Sequence, residues 1–239
     1  MIEKNSVQRE VVIHADADQV WKALTDPNEL NRWYTKECEI DLRLGGKVKM
    51  VHGWGAWTEG TITELIDGQR LVYQTGDDSE TIIMLREDED GVRVTIEYRM
   101  LFIGDDGIGM SENMAFGTEQ FMKNAKSVLE TGTDLRFFFW PSWIGLSHTS
   151  IRPDHHLNVE HGTYVLNVPE QSPAYLCGLR RGDIIVEANG KKVKHYEDLE
   201  TIIWSVKPED QLTMKVVREG KPIQLACTVA AHPRGEMAG

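Results

Sequence analysis

Cysteine is scarce in this 239-residue chain: Cys38, Cys177 and Cys227 are scattered, with no CxxC pair. That excludes a disulfide framework and a zinc-ligand spacing. No apolar run approaches the roughly 20 residues that span a bilayer. The opening Met1-Ile2-Glu3-Lys4-Asn5-Ser6 has no apolar core behind its lysine, so no secretory signal is read and a cytoplasmic protein is expected. Positive charge is also in short supply, with 26 Lys+Arg against 38 Asp+Glu and a net charge of −12. The deficit lies in residues 1–133, where 14 cations face 25 anions; residues 134–239 hold 12 against 13. An acidic surface repels phosphate backbones and anionic lipid heads, so neither nucleic acid nor a membrane is an expected partner. Gly-Asn-Ser-Gly-Gly, Gly-x-Ser-x-Gly, Walker and dinucleotide glycine motifs are all missing, which removes peptidase and nucleotide chemistry. His155-His156, with His148 and His161 nearby, are adjacent loop histidines without a ligand-favouring spacing. No metal, cofactor or catalytic residue is expected.

What is present is most legible between Trp143 and Gly190. Tyr164 to Val168 is a β-branched run closed by Pro169. Ser172-Pro173 opens a short helix, Gly178 stands where a helix end needs a left-handed residue, and Asn189-Gly190 is a type I′ hairpin turn signal. Ser172, Pro173, Ala174, Gly178, Leu179, Gly182, Asp183, Ile185, Asn189 and Gly190 stand at the offsets S-P-A-x-x-x-G-L-x-x-G-D-x-I-x-x-x-N-G. This stretch resembles a PDZ domain of the permuted bacterial type found in HtrA-like proteases.

The resemblance implies recognition of a C-terminal peptide by β-augmentation, with the terminal carboxylate on backbone N–H groups. It assigns those groups to Ile144, Gly145 and Leu146, and the receiving strand to Ser147 through Ile151. Helical spacing of Leu199, Ile202, Ile203 and Val206 predicts a helix from about Tyr196. Leu199 and Ile203 would share a side-chain pocket with Ile144 and Leu146, unless all four are plain core residues.

The first half reads as strand, two short helices broken at Asp26-Pro27, and a meander over 47–51, 57–65, 70–75, 81–86 and 92–101. A glycine-rich loop, Ile103 to Met110, precedes a helix over Ser111 to Thr131. That is an α+β helix-grip order: an antiparallel sheet around a long C-terminal helix, followed by the PDZ β-sandwich or partly open barrel with two helices. Val20-Trp21-Lys22-Ala23-Leu24-Thr25-Asp26-Pro27, Trp33, Gly45-Gly46, Gly60 and Leu71-Val72-Tyr73 resemble the START-like (SRPBCC) superfamily, in its branch related to the activator of the Hsp90 ATPase. Trp33, Trp54, Trp57, Tyr73, Met84, Met100 and Phe121 are the expected cavity walls, since aromatics and methionines give adaptable apolar area. They serve equally as core filling.

The expected division is therefore a START-like domain over 1–133, an apolar connector over 134–142, a PDZ domain over 143–233 and a tail over 234–239. Phe137-Phe138-Phe139-Trp140 is too apolar to stay in water and is expected to pack between the domains or over the cavity. The favoured function is a non-enzymatic binding adaptor whose PDZ groove takes a C-terminal peptide and whose START-like domain takes a hydrophobic small molecule or a protein. The resemblance also allows a chaperone partner, as a co-chaperone of a bacterial Hsp90 homologue. A cavity enzyme using His14, His52, Tyr73, Glu97, Tyr98 or Arg99 is the third reading.

Overall fold

A computed structural model describes residues 5–52, 56–152 and 159–232. The expected wall residue Trp54, the histidines His155 and His156, and the expected tail 234–239 lie outside them. Contacts gather the chain into two compact units, one built from residues up to Phe102 with Met114–Phe138, the other from Ile103–Asn113 with residues from Phe139 onward.

In the first unit β1 (Asn5–Ile13) is followed by α1 (Ala17–Thr25) and α2 (Pro27–Trp33). Asp26 separates the two helices: its carboxylate accepts from the amides of Asn28 (2.8 Å) and Glu29 (3.3 Å), and Pro27 fills the first helical position where no donor is needed. Asp16 occupies the cap position of α1 without a side-chain cap bond. Six strands follow: β2 (Glu37–Ile40), β3 (Lys47–Val51), β4 (Trp57–Ile66), β5 (Arg70–Gly76), β6 (Ser79–Asp88) and β7 (Gly91–Met100). The short β2 escaped the sequence reading. All neighbours pair antiparallel in the order β1-β7-β6-β5-β4-β3-β2, so the first and last strands of the meander are adjacent.

Helix α3 (Gly104–Thr131) begins seven residues earlier than its periodicity implies. Glycines weaken helices, so Gly104, Gly107 and Gly109 read as loop. Gly109 is buried, and a Cβ on it would stand 2.8 Å from both the His148 carbonyl oxygen and Leu166 Cδ1. Close approach, rather than chain flexibility, explains that glycine.

Within the first unit the rest of α3 is tied down by Asn124, which is fully buried. Its Nδ2 donates to the Trp33 carbonyl (2.7 Å) and to Asp134 Oδ1 (3.1 Å), and its Oδ1 accepts from the Leu135 amide (2.6 Å). Arg136 then donates to the Arg32 carbonyl (2.7 Å), one of the orphan carbonyls that end α2. Contacts group Asp134 to Phe138 with the first unit. Phe138 is 70% exposed, against the expectation that the aromatic run is buried.

The second unit holds β8 (Ser142–Trp143), β9 (Ser147–Ser150), β10 (Thr163–Asn167), α4 (Pro173–Leu176), β11 (Ile184–Ala188), β12 (Lys191–Lys192), α5 (Tyr196–Trp204), β13 (Gln211–Arg218), β14 (Lys221–Thr228) and β15 (Ala230–Ala231). The main sheet runs β14-β13-β11-β10-β9 with β12 on β11, while β15 pairs with β8, and among the described residues no barrel closes. Ser172 caps α4 by accepting from the Tyr175 amide (3.1 Å). Asn189 and Gly190 both have positive φ, as a type I′ turn requires. Asp183 is 1% exposed and paired with Arg218 through two bonds of 2.7 and 2.8 Å, so this motif residue is structural.

Replacing Asn124 with Ala should cost the first unit about 2–4 kcal/mol of unfolding free energy, because buried donors and acceptors lose their partner. Denaturant unfolding followed by tryptophan fluorescence checks this.

Candidate functional site

The second unit offers a groove between β9 and α5. β9 ends the sheet path, with β10 as its partner on one side. Trp143 to Leu146 lead into it. The Ile144 carbonyl accepts from the Ala174 amide (2.7 Å), which fixes the loop against α4. The amides of Ile144, Gly145 and Leu146 donate to no other group among the described residues. Three consecutive unspent N–H groups on a bend suit an anionic carboxylate.

Gly145 has φ +74°, and a Cβ there would lie 2.6 Å from both the Trp143 ring and Ser172 Cβ. The glycine is required by the backbone and by the indole packed over it. Ser147 is exposed at the start of β9.

The residues expected to form the pocket lie in the core of the second unit. Ile144, Leu199 and Ile203 belong to one apolar cluster, with Leu146 half-buried against it. Leu199 is 0% and Ile203 3% exposed, so the pocket walls are packed on each other as core. At the far end of the groove the His148 ring stacks on Tyr196 (centroids 4.2 Å apart, 9° between planes), and its Nε2 lies 3.1 Å from Glu200 Oε1. The Ser150 hydroxyl accepts from the Tyr196 amide (2.8 Å), joining β9 to the start of α5.

The first unit holds a separate cavity of about 30 Å³, lined by Trp33, Tyr73 and Phe121 as expected, and by Tyr34, Tyr98, Thr81 and Thr118 among others. That volume accommodates about one water molecule. Three wall assignments are corrected. Trp57 is 69% exposed at the start of β4. Met84 sits between the lining residue Ile83 and Leu85 on β6, and strand alternation turns it to the opposite face from Thr81 and Ile83. Met100 packs instead against the cluster of Val7, Phe102 and Ala115.

Tyr34 is a wall residue the sequence does not flag, and Tyr98, expected there only as a chemical candidate, is a wall residue too. Strand register sets Tyr73, Thr81 and Tyr98 side by side across β5, β6 and β7, and no local pattern reports that.

Burial raises the Tyr34, Tyr73 and Tyr98 phenols above their ordinary value, and their mutual proximity pushes Tyr34 and Tyr73 further. They stay neutral at physiological pH. Among the described residues no carboxylate, histidine or lysine lines the cavity. The remaining chemistry candidates are spent in pairs: Glu97 with Arg99 (2.7 and 3.0 Å) and His14 with Glu130 (2.7 Å). His52 is 5% exposed, edge-on to Tyr34, and burial lowers its pKa to about 4.

Residues 14–130 match the family described as activator of Hsp90 ATPase homolog 1-like protein, and residues 142–229 match the PDZ domain. Among curated proteins, the PDZ part is similar to the "Probable periplasmic serine endoprotease DegP-like" of Marinomonas sp. (strain MWYL1), 35% identical over 77 residues, 32% of this chain and 16% of that one. The protein of the same name from Chlamydia trachomatis serovar D is 40% identical over 73 residues, 30% of this chain and 15% of that one. The chain thus spans under a fifth of the length of these relatives.

The solution structure of the Aha1 dimer from Colwellia psychrerythraea is 18% identical and covers 54% of this chain and 98% of its own, with a TM-score of 0.49. The HtrA3 PDZ domain bound to a phage-derived ligand (FGRWV) is 26% identical, covering 38% and 86%, with a TM-score of 0.35. Two regions of the chain therefore match two different families. The chain joins an AHSA1-like domain of START/SRPBCC fold to a PDZ domain with HtrA-type relatives.

Two outcomes follow. Gly145→Ala should destabilise the second unit by at least about 2 kcal/mol in denaturant, since left-handed backbone and a steric clash coincide. His52 titrates near 6.5 when unfolded and near 4 when folded. Its neutral burial stabilises the first unit above pH 6.5, and that contribution, up to about 3 kcal/mol, is lost as pH falls through this window. His52→Gln should flatten the slope in thermal melts between pH 7 and 4.

Proposed function

We propose that the protein is a non-enzymatic adaptor whose PDZ groove captures the C-terminal carboxylate of a partner protein while its AHSA1-like unit docks a second protein. The unspent amides of Ile144, Gly145 and Leu146 beside an edge strand carry this reading. A cavity of about 30 Å³ favours protein docking over a bound hydrophobic molecule, because small-molecule pockets run to about 300–1,000 Å³. Its neutral lining also speaks against a cavity enzyme. Cytosolic placement is part of the proposal, on the sparse and scattered cysteines of the sequence, which offer no CxxC pair.

The test compares hexapeptides ending in Val, Leu or Phe as free acids and as C-terminal amides. Free acids should shift the amide resonances of Ile144, Gly145 and Leu146 saturably, and amides should bind at least about tenfold more weakly, as expected when a charge-assisted contact is lost. Equal binding of both forms, or binding that leaves these resonances unmoved, contradicts the reading. Leu199→Asp is a poor probe here, since a charge at a fully buried core position unfolds the unit.

The match of residues 14–130 to the Hsp90-activator family favours a second reading, a co-chaperone role for the AHSA1-like unit. It predicts accelerated ATP turnover by a bacterial Hsp90 homologue on addition of the full chain; unchanged turnover together with no detectable complex rejects it.

A further inference from the structure

The edge of β9 that a peptide would pair with is already occupied. The Ile151 amide donates to the Gly162 carbonyl on the β10 side, so alternation along the strand turns the backbone groups of His148 and Ser150 to the opposite, groove side. The Ser150 amide donates to Glu112 Oε2 at 2.9 Å, and the same oxygen accepts from the Thr149 hydroxyl at 2.9 Å. One turn earlier, Gly109 lies so close that an added methyl group would meet the His148 carbonyl oxygen at 2.8 Å. On the other wall, Asn113 Nδ2 donates to the Tyr196 hydroxyl at 2.8 Å, at the first residue of α5. Asp105 accepts from Arg152 at 2.8 Å beyond the end of β9. Positions 105, 109, 112 and 113 recur at helical spacing, so a single face of α3 makes every one of these contacts. All of these residues belong to the second unit.

We propose that this face of α3 is the groove's intramolecular occupant, and that a partner's C-terminus engages β9 beyond about its last two residues only when the Glu112 and Gly109 contacts release. The inference rests on the groove being a peptide site and adds how that site is regulated. Glu112 supplies a carboxylate to a β9 amide, standing in for a peptide carbonyl, and Gly109 brings helix backbone where a peptide strand would lie. Because the competitor is part of the same chain, it acts at high effective concentration. A closed form populated at about 90–99% weakens apparent peptide affinity by about 10- to 100-fold.

The experiment uses the full chain with Glu112→Ala and, separately, Gly109→Ala. Alanine favours the helix over glycine, so the second variant pushes α3 off β9 without melting it. Amide hydrogen exchange at Ser150 is measured first, because it reports release of the edge without any ligand. Affinity for N-acetylated hexapeptides ending in Val, Leu or Phe is measured next. Both variants should speed Ser150 exchange at least about tenfold while β11 and β13 amides keep wild-type protection, and should bind peptide about tenfold or more tightly than wild type. Unchanged Ser150 exchange in both variants overturns the proposal. Faster exchange with peptide affinity equal to wild type also overturns it, while leaving the groove standing as a peptide site. Faster exchange with no peptide bound by any of the three chains removes the groove reading, and the proposal with it.

Discussion

A strand at the end of a sheet leaves a row of amides and carbonyls without sheet partners, and the second unit is organised around how β9 meets that requirement. Leaving an edge open serves recognition but invites unwanted pairing. Here the edge divides into two parts. The amides of Ile144 to Leu146 find no partner among the described residues, whereas Ser150 and His148 are covered by Glu112 and Gly109. Several other features follow from this arrangement. Gly109 has to lack a side chain, α3 has to begin before its hydrophobic periodicity does, and Tyr196 has to present its hydroxyl to Asn113. His148, stacked on Tyr196 and bonded to Glu200, braces the same end of the groove from within.

The first unit solves a different problem, how to wrap a sheet and a helix around little empty space. Tyr34, Tyr73 and Tyr98 fill the centre with three neutral hydroxyls, and Asn124 pins α3 to the end of α2 and to the chain that follows. A neutral lining around a cavity of about 30 Å³ offers little room for an apolar molecule. That is the physical reason for favouring a docking role over carriage of a small apolar molecule.

Much of the PDZ half was legible because its motifs are backbone requirements. Ser172 has to cap α4, Asn189-Gly190 has to adopt positive φ, and Gly145 has to bend under an indole, so residue type at fixed offsets reports geometry directly. The cavity was less legible. Alternation says that Ile83 and Met84 face opposite ways, but only register with Tyr73 and Tyr98 says which way is inward. The start of α3 was misread for a related reason: glycine counts against a helix locally, and its value at 109 exists only once β9 is folded beside it. Leu199, Ile203 and Ile144 fall in one apolar cluster, and sequence alone does not distinguish an open pocket from a packed core.

The most direct check of this account is a nuclear Overhauser map of the isotopically labelled full chain, recorded without peptide and then at saturation with the tightest free-acid hexapeptide. Contacts from the Gly109 Hα protons to His148 and from the Glu112 side chain to Thr149 and Ser150 should be present in the free protein. They should be replaced by peptide contacts to the same strand when the ligand is bound. Persistence of the α3 contacts at saturation, with peptide paired along His148 and Ser150, would contradict it.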